Sequence, residues 1–284
     1  MIAFILLHLG FRMVIFPQVK LSKTMNFQSV TKQSIALVIV ISLFSNISLT
    51  NSNGETITIA VASNFAVAMK KIVVQFEKES GHQVKIASAS SCKIAAQIIN
   101  GAPFYAFFSA DQAKVATIED MGLTVKDSRF TYAVGTLALW SLQNDLDVMT
   151  LLKEGQFNKL AIANSKLAPY GLAGEQTLEN LGLTTSTRNK WVRGKSIAQT
   201  FQFASSANAK LGLVALSQIM VDGKITRGSA WIVPSHLHQP IKQDAALLQK
   251  GKNSQATLAL LQFVQSQKAQ LIMQSFGYKA KTAH

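Results

Sequence analysis

The sequence predicts an α/β fold in two lobes, each a mainly parallel sheet flanked by helices. Three observations carry this expectation. From Glu55 onward, short β-branched apolar runs alternate with stretches of helical spacing. The alternation occurs twice, with a long strand-like run between the two halves. At 284 residues the chain is also longer than a single hydrophobic core comfortably serves. Two α/β lobes joined by a double crossover fit that length better than one oversized sheet.

The first half follows a regular order. Thr56–Ala62 (TITIAVA) is β-branched and apolar, as a parallel strand covered on both faces must be. Asn64 stands where it can cap a helix in which Phe65, Met69, Ile72, Val73 and Phe76 recur at helical spacing, with Gly81 as the stop. QVKIAS reads as a second strand, CKIAAQIIN as a helix ended by Gly101, and FYAFFSA as a third strand. Asp111 then caps QAKVATIEDM. A β-α-β-α-β-α order implies parallel strands with right-handed crossovers.

The second half is looser. FTYAVGTLALWS (Phe130–Ser141) reads as strand and as a passage between lobes, and KLAIAN as another strand. PYGLAGEQTLENLG begins a helix after Pro169, and Ser196 caps IAQTFQFAS. LGLVALS, SAWIVP and DAALL read as strands, and two helices close the chain. The expected division is 55–133 with 232–284 for lobe 1 and 134–231 for lobe 2, behind a targeting region at 1–54.

That targeting region has its own signature. Met25–Ser52 has a lysine-bearing start, an apolar centre from Ile35 to Phe44, and then small polar residues, which suits a secretory signal of about 25–52. The apolar centre is short for a membrane span. Cleavage is expected between Thr50 and Glu55. Upstream, MIAFILLHLG is either the product of a start placed ahead of Met25 or an extension that tethers the protein to the membrane. An exported protein in the periplasm follows.

The formal charge is +14, of which Arg12, Lys20, Lys23 and Lys32 contribute four within the first 50 residues. A basic surface attracts nucleic acid, acidic membranes or small anions. The basic residues are dispersed, with no run of five, which points away from nucleic acid. One cysteine rules out an internal disulfide, and no C-x-x-C is present.

Four places share one design, in which a strand or loop ends, a small or hydroxyl residue follows, and a helix begins. They are Ser63–Asn64, Ser90–Ser91, Pro169–Tyr170 and Ser196–Ile197. The first N–H groups of a helix lack internal partners, and its dipole places partial positive charge there. Several such ends in one cleft bind a compact anion with no lysine or arginine. The hydroxyls of Ser63, Ser91 and Tyr170 and the amide of Asn64 would add donors. Each place is also an ordinary helix cap, and spacing alone does not show that they converge.

An enzyme is the alternative class, with Ser91 or Cys92 as nucleophile and His82 as base. SASSCK (Ser88–Lys93) is not a G-x-S-x-G elbow, however, and His82 falls in a turn. His236 and His238 have no nearby carboxylate or cysteine to complete a metal site, which suits an exposed strand or loop. Fourteen acids without a paired pattern offer little to acid–base catalysis.

From Thr56 to the C-terminus the chain resembles the periplasmic molybdate-binding proteins of ABC transporters, which also accept tungstate. The likeness rests on VASNFAVAMKKI, FEKESGHQVKIASASSCKIAAQI, NGAPFYAFFSAD, RFTYAVGTLALWS, LAIANSKLAPYG, GKSIAQTFQFASSANAKLGLVALSQ and FGYK, in family order and spacing. The resemblance implies a venus-flytrap fold closing over a dehydrated tetrahedral oxyanion, with no cofactor and no protein ligand to the oxyanion's metal centre. It places Ser63, Asn64 and Ser91 at the anion from one lobe, and Tyr170 and the Ile197 N–H from the other. A family contact that is often a tyrosine falls at Ala215, which offers only backbone. It also implies a monomer that delivers its guest to an ABC permease in the inner membrane. Three departures stand out: Cys92 where Gly or Ser is usual, Tyr105 where Asp is common, and the extension before Met25. Sulfate is the alternative guest, since a donor-only site disfavours partly protonated phosphate but does not separate sulfate from molybdate.

Overall fold

The computed structural model describes residues 54–279. The expected signal segment, the upstream extension and the last five residues lie outside them. Twelve strands and nine α-helices are present among the described residues. β1 (Thr56–Ala62), β2 (Gln83–Ala89), β3 (Ala106–Phe108) and β4 (Phe130–Gly135) alternate with α1 (Ala66–Ser80), α2 (Ser91–Ile99) and α3 (Ala113–Asp120). β5 (Leu137–Ser141), α4 (Val148–Lys153), β6 (Leu160–Ala163), α5 (Pro169–Asn180), α6 (Thr184–Thr187), β7 (Trp191–Gly194), α7 (Ile197–Ser205) and β8 (Leu211–Ala215) follow. A small hairpin of β9 (Met220–Val221) and β10 (Lys224–Ile225) precedes β11 (Ser229–Ile232) and β12 (Ile241–Leu247). α8 (Gln255–Gln265) and α9 (Gln267–Ser275) end the described chain.

Alternation along the strands explains the layering. In β1, Ile57, Ile59 and Val61 face a core with Met69, Ile72 and Phe76 of α1 and Leu260 of α8, while Ala60 faces Ile94 and Ile98 of α2. In β3, Ala106 and Phe108 join the first core and Phe107 the second. Successive side chains of a strand point to opposite faces, so helices must cover both. The second sheet repeats the device, with Leu137 and Leu139 on one face and Ala138 and Trp140 on the other.

The strands form two five-stranded sheets, ordered β2-β1-β3-β12-β4 and β11-β5-β8-β6-β7. Each sheet contains one strand that runs against its neighbours, namely β12 in the first and β5 in the second. The remaining pairings, β1 with β2 and β3, and β6 with β7 and β8, are parallel. The sheets are therefore mixed, and the two reversed strands belong to the crossovers. The run read as strand over Phe130–Ser141 divides at Thr136 into β4 of the first sheet and β5 of the second. The chain returns to the first sheet through β12. β7 and α4 were not legible as separate elements, because four- and six-residue pieces carry too little periodicity.

Helix ends match the punctuation with one exception. Ser90, Ser196, Ser254 and Ser266 cap α2, α7, α8 and α9 through their side chains, and Asp111 Oδ1 accepts from Lys114 N–H at 2.7 Å. Gly81 ends α1 at φ 73°. Asn64, expected to cap α1, does not do so. Phe65 holds that position without a side-chain bond, and the Asn64 amide is drawn into the interior instead. His236 and His238 occupy a short 3-10 turn and the residue after it, and His238 is nearly buried rather than exposed.

Candidate functional site

The C-terminal ends of β1, β2 and β6 and the N-terminal ends of α2, α5 and α7 meet between the two sheets. The residues there line one small cavity: Ser63, Asn64, Ser91, Tyr170 and Ile197, with Ala62, Ser90, Ala110, Ala168 and Pro169. All five positions chosen from the sequence are thus brought together. None of the ten lining residues carries a charged side chain. The cavity is too small for a sugar or a peptide.

Each wall has a local cause. β1 ends at Ala62, and Ser63 donates its N–H to Ala89 O at 2.9 Å, which ties the first loop to the end of β2. Ser91 opens α2 and is buried; its Oγ accepts the Ala110 N–H at 2.8 Å, which locates the oxygen and leaves the hydroxyl proton to donate elsewhere. Pro169 begins α5 at a position where its missing N–H costs nothing. Gly171 lets this helix close on β6, since a Cβ there would lie 2.4 Å from Ala163 O. Ser196 accepts from Gln199 N–H at 3.2 Å, so the N–H of Ile197 is left without an internal partner. The backbone N–H groups of Asn64 and Tyr170 likewise find no backbone acceptor among the described residues.

Two of the four expected side-chain donors are engaged behind the cavity. Tyr170 Oη accepts from Gln243 Nε2 at 3.1 Å. Asn64 Nδ2 donates to Gln243 Oε1 at 2.9 Å and to Tyr278 Oη at 3.0 Å. Tyr132 Oη bonds Gln243 Oε1 and Ser109 O, both at 2.9 Å. Ser217 Oγ donates to Asn64 O at 2.8 Å, and Tyr278 Oη lies 2.9 Å from the same oxygen. Tyr170 and Ser217 come from the second lobe and the others from the first, so this buried network spans the junction. Burial, reinforced by the neighbouring phenol of Tyr278, holds the Tyr170 hydroxyl well above its ordinary pKa. Burial also raises those of Tyr132 and Tyr278, so all three remain protonated. Gly135 makes room at the crossover, because a Cβ there would fall 2.2 Å from Tyr170 Oη.

Sequence reasoning missed Gln243, Tyr132, Tyr278 and Ser217. The available signal was a glutamine within a strand covered on both faces, and Gln243 is fully buried. The set-aside Ala215 spends its N–H on Gln218 Oε1 at 3.0 Å. Cys92 is half-buried in the first turn of α2. Tyr105 packs at the edge of the first core beneath Lys250, away from the cavity. His82 accepts from Glu55 N–H at 3.1 Å and stacks on Phe76, so it does not serve Ser91 as a base. No helix among the described residues is long and apolar enough to cross a membrane, and no cluster of three metal-ligating side chains occurs among them.

Two α/β lobes joined by crossovers, with a small donor-lined cavity where they meet, define a two-lobed solute-binding protein. The chain belongs to the bacterial extracellular solute-binding proteins, whose family model matches residues 57–279. It is 45% identical over 242 residues to the molybdate-binding protein ModA of Azotobacter vinelandii, covering 84% of this chain and 96% of that one. It is 39% identical over 252 residues to ModA of Rhodobacter capsulatus, covering 88% and 97%. The solved periplasmic molybdate-binding protein of Azotobacter vinelandii superposes with a TM-score of 0.75 at 35% identity, covering 80% of this chain and all of that one.

Proposed function

We propose that this protein captures molybdate, and also tungstate, outside the cytoplasm and delivers it to the permease of an ABC transporter. The observation that carries the reading is the convergence of three helix N-termini and the Ser63–Asn64 loop on a cavity without a charged side chain. The relatives of 45% and 39% identity, both named for molybdate, support the choice of guest. In this reading Ser63, Asn64 and Ser91 hold the anion from lobe 1, and Tyr170 and Ile197 hold it from lobe 2. The donors are partial charges already oriented by their helices, so they neutralise a dianion without a buried cation's desolvation cost. A guest held by both lobes favours the closed arrangement, which is the form presented to the permease. The protein acts as a monomeric carrier in the periplasm, without catalysis and without nucleic acid as partner.

The test is a thermal-shift titration of the purified protein with molybdate, tungstate, sulfate and phosphate. At about 100 times its dissociation constant a ligand adds about 2.7 kcal/mol to apparent stability. A rise in melting temperature with molybdate and tungstate alone is expected. A rise with none of the four, or an equal rise with phosphate, overturns the reading.

A further inference from the structure

Behind the cavity one buried atom has no partner. Asn64 is 1% exposed, its Nδ2 is engaged by Gln243 and Tyr278, and its Oδ1 has no hydrogen-bond partner. An orphaned acceptor of this kind costs about 1–3 kcal/mol in a protein interior. An oxygen on the free edge of that amide would also set a negative partial charge beside any anion in the cavity that Asn64 lines.

Amide oxygen and nitrogen are distinguished by the partners they find, not by their shape. Turning Asn64 alone by half a rotation sets two oxygens together, Oδ1 against Gln243 Oε1, at the 2.9 Å separation of the present pair. Turning both amides removes the conflict. Gln243 Nε2 then donates to Asn64 Oδ1 and to Tyr132 Oη, at the same 2.9 Å separations. Gln243 Oε1 accepts the Tyr170 proton across 3.1 Å, and Tyr132 passes its own proton to Ser109 O at 2.9 Å. Tyr278 Oη remains within 3.0 Å of Asn64 as a donor to Oδ1. Every other atom of the two amides then has a partner, Asn64 O keeps the Ser217 proton at 2.8 Å, and Asn64 Nδ2 alone is left on the free edge for a guest to accept from.

We infer that Gln243 is the positioning residue that sets which edge of the Asn64 amide the guest meets, turning a donor toward a fully deprotonated oxyanion. The inference rests on the oxyanion reading of the cavity. Gln243 suits the role because an amide both donates and accepts: in the turned arrangement it gives protons to Asn64 and Tyr132 of its own lobe and takes one from Tyr170 of the other. The same bond therefore ties the polarity of the site to the meeting of the lobes. A side chain that only accepts at position 243 would draw Asn64 Nδ2 back toward itself and leave Oδ1 to the guest.

Side-chain amide NMR on the full ¹⁵N-labelled protein tests this without any substitution. On saturation with molybdate, the Asn64 NH₂ resonances should move as strongly as the backbone N–H resonances of Tyr170 and Ile197. If the two backbone signals move and the Asn64 NH₂ pair does not, the role of Gln243 is overturned and the oxyanion reading survives. If none of the three responds, the oxyanion reading fails with it. Replacing Gln243→Glu installs an acceptor-only group, and molybdate affinity should fall about 100-fold, while Gln243→Met, which dictates neither edge, should cost about 10-fold. Wild-type affinity in a folded Gln243→Glu protein overturns the inference. Should that variant not fold, the wild-type NMR titration decides.

Discussion

The two walls of the cavity are built from different material. The first lobe contributes lining residues with polar side chains, Ser63, Asn64 and Ser91. The second lobe contributes Tyr170 and Ile197: the Ile197 side chain is buried in that lobe's core, the Tyr170 hydroxyl bonds Gln243 of the first lobe, and the backbone N–H groups of both find no backbone acceptor among the described residues. One wall can be altered by ordinary substitution, whereas the other yields only to a change that removes an N–H. In the oxyanion reading proposed above, that difference makes the site robust on one side and adjustable on the other.

The comparison can be broken most sharply at Ser91. Ser91→Ala removes a hydroxyl donor and strands the Ala110 N–H it now accepts at 2.8 Å. A charge-assisted bond is worth about 1.5–3 kcal/mol, so molybdate affinity by calorimetry should fall about 10- to 100-fold. On the opposite wall, Ile197→Pro deletes one N–H at a helix position that accepts proline. Ser196 is already extended at φ −151° and ψ 165°, as a residue before proline must be. Affinity should fall about 10-fold, with Ile197→Val as the control that keeps the N–H and nearly the same packing. Equal behaviour of the two variants would show that the second wall acts through side-chain bulk.

Gly135→Ala tests the junction behind both walls. The added carbon would meet Tyr170 Oη at 2.2 Å and Gln243 Nε2 at 2.5 Å, and such overpacking costs about 1–3 kcal/mol of folding stability. A lower chemical-denaturation midpoint with only a few-fold loss of affinity is expected. The smallest effect belongs to His82→Ala, which removes the acceptor of the Glu55 N–H far from the cavity and should leave molybdate affinity unchanged. Affinity should also stay level between pH 6 and 8. The tyrosines behind the site, whose pKa values burial raises, keep their protons throughout that window.

Much of this was legible along the chain. The β-branched runs, the glycine stops and the serine caps are local signals, and α2, α5 and α7 begin where Ser90, Pro169 and Ser196 predict. The helix starts that line the cavity were legible for the same reason, since an unpaired N–H is a property of a helix start and not of its neighbours. The reversed strands were not. β5 looks like a continuation of β4 because both are apolar and only Thr136 separates them. Asn64 also misled: its type and place suit a cap, but a buried glutamine from a distant strand offers its amide a better-desolvated bond.

Composition and periodicity by themselves determined that this chain builds layered α/β lobes whose helices start at Ser90, Pro169 and Ser196. Tertiary structure alone decided that those starts share one cavity and what stands behind it. Asn64 and Gln243 are 179 residues apart and meet at 2.9 Å only because the chain crosses to the second lobe and returns. Local sequence sets which groups lack partners. The direction in which a buried amide presents its donor is set by contacts that exist only once distant strands are side by side.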